Sequence, residues 1–592
     1  MSHLIRKPMP LLIFMLLTAF CVSVTRADGP AWTHKPAQDI RWYQLTDAGT
    51  LLVGTAGSIY ALDPENGNSL WSRNDLAGIE EYEVRQIENT PILLISDPKG
   101  YAQTKTKLSA VDLLTGKTLW ETDKVQGHAV ETAVNYDKGL AVIITVQSKS
   151  MQKDKLDVYA VDFGNGEVLW KTEYTDKVDL YGREKGSRFF PAFDLSGANP
   201  PLFDGDAMYL TYAGVHKFSL KDGSLAWKNA YDVTEGRIKR GNAQAVIDGE
   251  MIYTSAKGQL RAFDKNSGAL KWTSKDFGGA IAEMLVDGGV IYGRLGGNFY
   301  DFGKKEYVKK GPLGVVAVAR DSGAPNWMYD GAKNNITNMA LVRESNTLLI
   351  ADEKNLIGLD LSSQGKVKEA YKMKLEFKNK IGAAATTAKV AKIGFGAFTG
   401  GIAGGLKGGM SKGADGTDDP VQLTRRENGT VVIRGMQHLL AFDPRTKNIA
   451  WATQFEAPGS AGWQKIAMGA LTTASAFMNM AGSVNAQYAA GYKDRSANRY
   501  EDRMISSFSS YEQFLTKRYS ATKTTANFTY VMTNVADGKD KAAGIVGVNM
   551  MTGMADRQIM FNDKDPDYEI DETTGRVFNL RNPKELSAFV IR

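Results

Sequence analysis

The apolar and polar positions along the chain repeat as a phrase. A short apolar run ends in Asp, Gly follows four residues later, and Trp four after that. The clearest copy is Tyr60-Ala61-Leu62-Asp63, then Gly67, then Trp71. The frame returns at Asp112/Gly116/Trp120, Asp162/Gly166/Trp170 and Asp264/Gly268/Trp272. Each copy predicts two antiparallel strands joined by a tight turn. The Asp carboxylate accepts hydrogen bonds from the turn backbone, and Gly supplies a left-handed position. Trp anchors the returning strand with a large apolar surface. Apolar runs such as 50–54, 91–95, 140–144 and 251–253 predict further strands buried on both faces.

Weaker copies extend the series. Gly223/Trp227 and Gly323/Trp327 keep the Gly-to-Trp spacing, with Ser219 and Ala319 in place of Asp. Asp443/Trp451 has Lys447 in place of Gly, whereas Asp360/Gly365 and Asn549/Gly553 have no Trp in frame. Seven of the ten Trp residues fall in this frame, so it is a structural repeat. Its period of about 50 residues is the length of one four-stranded propeller blade. The expected fold is all-β: a single β-propeller of eight to ten four-stranded blades. Residues 586–591 read as a third strand with no fourth after it, and Trp32 lies in a segment able to supply that strand from the N-terminus. Closure of the ring by the two chain ends is therefore expected.

The phrase, written A-[LVF]-D-x-x-x-G-x-x-x-W, resembles the repeat of quinoprotein-type β-propellers over residues 30–375 and 420–455, and more thinly over 525–592. That group includes quinone-dependent dehydrogenases and also non-catalytic propellers of outer-membrane assembly in Gram-negative bacteria. The resemblance implies the fold but leaves the cofactor open. A dehydrogenase of this kind would need a pair of adjacent cysteines over the quinone, a Ca²⁺ site and a haem acceptor. The chain's one cysteine, Cys21, lies in the N-terminal leader, and no Cys-x-x-Cys-His occurs. No cofactor is expected, and an oxidoreductase using the propeller axis is the alternative.

Two insertions interrupt the period, each after the outer strand of one blade. The first, 375–419, carries Gly396, Gly400, Gly404 and Gly408 at every fourth residue, a spacing that on a helix makes a groove for close backbone approach. A flexible glycine-rich loop is the other reading. The second, 456–525, contains 27 residues without a charge, 466–492, which read as an amphipathic or buried helix with a membrane span as the alternative, followed by an amphipathic stretch. Both insertions are expected to be mainly helical. Connections of this type leave a propeller on one face, so the two should emerge side by side.

The start of the chain has the form of a secretory signal over residues 1–27: Arg6 and Lys7, an apolar core at 11–24, and Ala27 before a cleavage point. An uncleaved anchor and lipidation at Cys21 are the alternatives. The net charge is +6, of which Arg6, Lys7 and Arg26 supply three, so no nucleic-acid partner is expected. The five histidines are scattered, and Asp563, Asp565, Asp567 and Glu569 lack the glycine of a calcium loop, so no metal site is expected. No nucleophile-base pattern stands out. The sequence thus describes an exported scaffold, periplasmic or outer-membrane-associated, with secretion as the alternative. Its two insertions would dock an envelope protein or rest on a membrane surface, and self-association through the glycine series is a further reading.

Overall fold

A computed structural model describes the chain from Thr25 to Ile591, apart from residues 183–192, 376–417, 456–527 and shorter loop segments. Ten small sheets follow one another along it. Blade 1 shows the pattern: Ile40–Leu45, Leu51–Thr55, Ile59–Leu62 and Ser69–Arg73 pair as an antiparallel meander, with the phrase forming the turn between the third and fourth strands. Blades 2 to 8 occupy 84–126, 128–174, 202–230, 246–273, 281–329, 340–374 and 422–454.

The tenth blade is shared between the chain ends. Asp567–Asp571, Arg576–Asn582 and Glu585–Val590 form three strands, and Trp32–His34 completes the sheet with Trp32 opposite Ala588. The ring is therefore closed by strand pairing, as the missing fourth strand predicted. Apolar cores fill every interface between consecutive blades. The last interface brings Phe578 and Leu586 against Tyr43 and Leu51 of blade 1. The degenerate phrases are true blades, so the count among the described residues is ten, the upper end of the expected range.

The Trp of each repeat packs forward onto the next blade. Trp71 lies flat on Gly116, where an added Cβ would sit 2.6 Å from the indole, and its Nε1 donates to Leu113 O at 2.8 Å. The same contact joins Trp32 to Gly67, Trp120 to Gly166, Trp170 to Gly223, Trp227 to Gly268, Trp272 to Gly323 and Trp451 to Gly553. Room for the ring comes from the residue paired with it. Ala61, Ala110, Ala160, Ala262, Ala317 and Ala441 each face a Trp across the ladder, one residue past a bulge.

Two blades without Trp use other residues in its place. Tyr371 pairs with Gly358, and Lys447, left-handed at φ 57, sets its Nζ 5.5 Å from the Tyr371 ring centroid. The pair Tyr371/Lys447 thus replaces Trp/Gly. In blade 9, Arg557 takes the Trp position, opposite Gly547, and stacks 3.7 Å from the Phe528 ring.

Blade 9 differs in a second way. Its described strands, Phe528–Asp537, Asp540–Asn549 and Ala555–Met560, correspond to the second, third and fourth of the other blades. Thr25–Arg26 lies parallel against the outer one. The helices expected in the two insertions have no support in the structure: the described residues contain only short 3-10 turns, and 376–417 and 456–527 lie outside them.

Candidate docking face and the insertion roots

The phrase turns all lie on one face of the ring. There Asp63 accepts from Glu65 N at 2.8 Å, Asp112 from Thr115 N at 2.7 Å, Asp162 from Gly164 N at 2.8 Å and Asp264 from Ser267 N at 2.9 Å. Hydrogen bonds from Ser267, backbone first and then hydroxyl, hold the Asp264 carboxyl well below the usual carboxylate range. The carboxylates serve the turns, and Gly67, Gly116, Gly166 and Gly268 carry Trp rings from the preceding blade.

The other face carries the long connections. Among them are a strand pair, Leu180–Gly182 with Phe193–Leu195, and an extended hairpin of blade 6, Val290–Asp301 with Glu306–Ala319. The chain also leaves this face after Lys374 and Gln454, the ends of the outer strands of blades 7 and 8, and begins blade 8 from it at Gln422, whereas Phe528, opposite Asn549 of a phrase turn, lies on the other face. Both ends of the first insertion and the start of the second therefore lie on one face, on either side of blade 8.

Their roots meet at a single turn, between Val431–Arg434 and His438–Asp443. Gln437, fully buried, is its hub. Its backbone N–H donates to Asp418 Oδ2 at 2.7 Å, at the end of the first insertion. Its carbonyl accepts from Phe455 N at 2.8 Å, at the start of the second. Its side-chain Nε2 donates to Met532 O at 3.0 Å in blade 9. His438 N lies 3.0 Å from the same Asp418 oxygen and His438 Nδ1 3.1 Å. Arg434 donates to Thr529 Oγ1 at 2.6 Å and to Tyr530 O at 2.8 Å. Asn335 Nδ2 adds a bond to Pro420 O at 2.8 Å, tying the same root to blade 7. A buried polar group costs stability unless bonded, so this cluster holds its geometry closely.

Gly396, Gly400, Gly404 and Gly408, and the run 466–492, lie outside the described residues. Sequence reasoning did not single out Gln437, Asp418 or Arg434. Their partners lie 18 to 96 residues away, and no local motif marks them.

Two other buried polar groups resemble chemical sites. Between blades 3 and 4, Tyr174 OH donates to His216 Nδ1 at 2.8 Å, and His216 Nε2–H to Asp176 Oδ2 at 2.6 Å. Tyr174 OH also accepts from Ala213 N at 3.1 Å. Burial pushes the His216 imidazole below its ordinary pKa, against the pull of Asp176. Burial opposes ionisation of Asp176 as well, but Lys228 and His216 keep its carboxyl lower than usual. Every position of this chain is saturated within the protein, as in a structural relay. Near the axis, Glu283 is pushed up by burial, against Arg294, and accepts from Met339 N at 3.1 Å across the blade 6–7 interface.

The acidic run is likewise committed to packing. Asp567 accepts from Tyr43 OH at 3.2 Å and Glu569 from Leu45 N at 2.6 Å, both in blade 1, while Asp563 and Asp565 lie outside the described residues. Among the described residues no group of three or more metal-ligating side chains occurs. Nor, among them, is any helix long and apolar enough to cross a membrane.

The sequence pattern of the family described as outer membrane protein assembly factor BamB matches residues 24–151 and 154–378, more than half of the chain. The chain belongs to this family. A BamB of Yersinia pestis is 23% identical over 261 residues, covering 38% of this chain and 64% of that protein. One of Xanthomonas campestris pv. campestris is 24% identical over 288 residues, covering 40% and 66%. The chain thus spans somewhat less than two thirds of these relatives. The crystal structure of BamB from Moraxella catarrhalis aligns over 72% of this chain and 98% of its own, at 14% identity and a TM-score of 0.34. The family match ends at residue 378, just past the outer strand of blade 7, so the Gln437 turn and the strands from Gln422 onward lie beyond it.

Proposed function

We propose that this protein is a non-catalytic, exported propeller scaffold serving outer-membrane protein assembly in the bacterial envelope. It docks a partner protein through the face that carries the two insertions. Family membership supports the assembly role. The observation that carries the docking role is the convergence of both insertion roots on Gln437. Asp418, at the end of the first insertion, and Phe455, at the start of the second, meet at one buried turn, so a partner held there is presented against a rigid disc. The leader at residues 1–27 directs export, placing the ring in the periplasm or at the outer membrane.

The experiment is site-specific photo-crosslinking in the native host, from Lys354 and Lys374 beside the first insertion and from Asp222 and Asn266 on the opposite face. The expected result is crosslinking to a component of the outer-membrane assembly machinery from the insertion face alone. Adducts from the opposite face alone, or crosslinks to phospholipid only, would remove the docking role.

A further inference from the structure

We propose that the outer edge of blade 8 is a self-association site, at which Asn448–Gln454 pairs antiparallel with the same strand of a second copy of this chain. A strand at a sheet edge leaves a row of main-chain donors and acceptors unpaired, and proteins block such rows with charge, proline, brevity or a cover. The outer strands of this ring use all four devices. Blades 2, 3, 4, 5 and 7 carry charge there, as Glu121, Lys171, Lys228, Lys271 and Lys372. Blade 1 ends its strand on Arg73, and blade 9 carries Arg557. Blade 6 starts on Pro325 and is covered by Gly365–Lys366. The closing strand of blade 10, Trp32–His34, is three residues long.

Blade 8 uses none of them. Asn448-Ile449-Ala450-Trp451-Ala452-Thr453-Gln454 is seven residues long and holds neither charge nor proline. Among the described residues no strand lies against its outer side. Asn448, Ala450, Ala452 and Gln454 are exposed, while Ile449, Trp451 and Thr453 are half-buried. Ala452 follows the repeat aromatic directly. That is the position of Glu121, Lys171, Lys228 and Lys372 in blades 2, 3, 4 and 7. The residue that guards the edge elsewhere is therefore replaced here by a small neutral one.

The edge fits a copy of itself. Phe455 N–H donates inward, to Gln437 O. Main-chain groups alternate in direction along a strand, so the N–H and C=O of Ala452 and Gln454 point outward. A two-fold axis at Thr453 then sets Ala452 of each copy opposite Gln454 of the other, as a hydrogen-bonded pair on either side of the axis. On the side toward blade 9, where Trp451 and Phe455 pack, Trp451 of one copy meets Phe455 of the other, and Thr453 meets Thr453. Aromatic and Thr–Thr pairs are among those that stabilise adjacent strands. No like charges face each other between Trp451 and Phe455. A pairing this short buries little area, so the dimer is weak and its population follows concentration. It joins two rings at their rims and leaves both faces of each uncovered, so it stands apart from the docking role proposed above.

Sedimentation equilibrium of the full chain over a concentration series tests this. The unaltered chain should show a reversible monomer–dimer equilibrium. Ala452→Lys sets two ammonium groups beside the axis, and Gln454→Glu two carboxylates, so each should weaken dimerisation at least about tenfold. An equal mixture of the two variants should recover it, because the new ammonium of one then lies opposite the new carboxylate of the other. Lysine stands at the position of Ala452 in blades 3, 4 and 7, so the fold accommodates it, and far-UV circular dichroism checks each variant. Ser72→Lys, the same position on the rim of blade 1, should leave the equilibrium unchanged. A chain that stays monomeric at every concentration would overturn the proposal. So would a dimer that neither variant weakens, which would place self-association elsewhere. A mixture that remains monomeric would overturn it too, and would mean that the edge takes a different chain.

Discussion

Replacing Gly116 by alanine isolates the contact that holds neighbouring blades together. Gly116 has φ +68, and a Cβ there would lie 2.6 Å from Cδ2 and Cγ of Trp71. A left-handed alanine costs about 1–2 kcal/mol. Displacing an indole from a filled site adds about 1–3 kcal/mol. The moved ring also loses its hydrogen bond to Leu113 O, worth about 1 kcal/mol. The expected loss is therefore about 3–6 kcal/mol. Gly365 provides the matched control. It occupies the turn of blade 7 with the same φ of +68, but nothing lies within 4 Å of its Cβ position. Gly365→Ala should then cost only the backbone share, about 1–2 kcal/mol. Urea unfolding followed by tryptophan fluorescence and far-UV circular dichroism gives both values. Equal losses for the two variants would refute the claim that Trp docking, rather than turn conformation, fixes these glycines.

Other outcomes follow from the same contacts. Trp32→Ala removes the ring-closing indole, which stacks on Gly67 and donates to Pro64 O at 3.0 Å, and should destabilise by about 3 kcal/mol in urea titrations. Lys447→Gly relieves a left-handed lysine but loses its contact with Tyr371, so the unfolding midpoint should move by no more than about 1 kcal/mol equivalent. His216 titrates lower in the fold than in the unfolded chain, because burial disfavours its charge. The unfolded state therefore takes up the proton first. Stability should be constant above about pH 7 and fall as pH drops below about 6.5, and His216→Gln should flatten that slope. Gln437→Leu keeps the volume and the main-chain bonds to Asp418 and Phe455 but removes the bond to Met532 O, so it should destabilise by about 1–2 kcal/mol in urea titrations.

Much of the ring was legible because the repeat encodes it locally. Asp63, Gly67 and Trp71 fix a turn and the strands on either side, and the alanine before them makes room for the indole. The split blade was legible because 586–591 ended without a partner strand. The second task of the glycines was hidden, since Gly116 meets a Trp 45 residues earlier in the chain. Tyr371 with Lys447 escaped notice because two substitutions compensate each other across a blade interface. The Gln437 hub left no trace, because a buried glutamine has no periodicity and its partners, Asp418, Phe455 and Met532, stand in no local motif with it. Gly396 to Gly408 were conspicuous for the opposite reason: their spacing is visible in sequence, yet they lie outside the described residues.

The central claim is that the ring is a scaffold and the insertions carry its function. The most direct measurement is complementation in the native host, with residues 378–416 and 460–520 replaced by short Gly-Ser linkers and the chromosomal copy removed. The account predicts a variant with an undiminished unfolding midpoint that fails to restore folded outer-membrane proteins, read by heat-modifiable gel mobility. Full restoration by that variant would contradict it, and would assign the function to the blades.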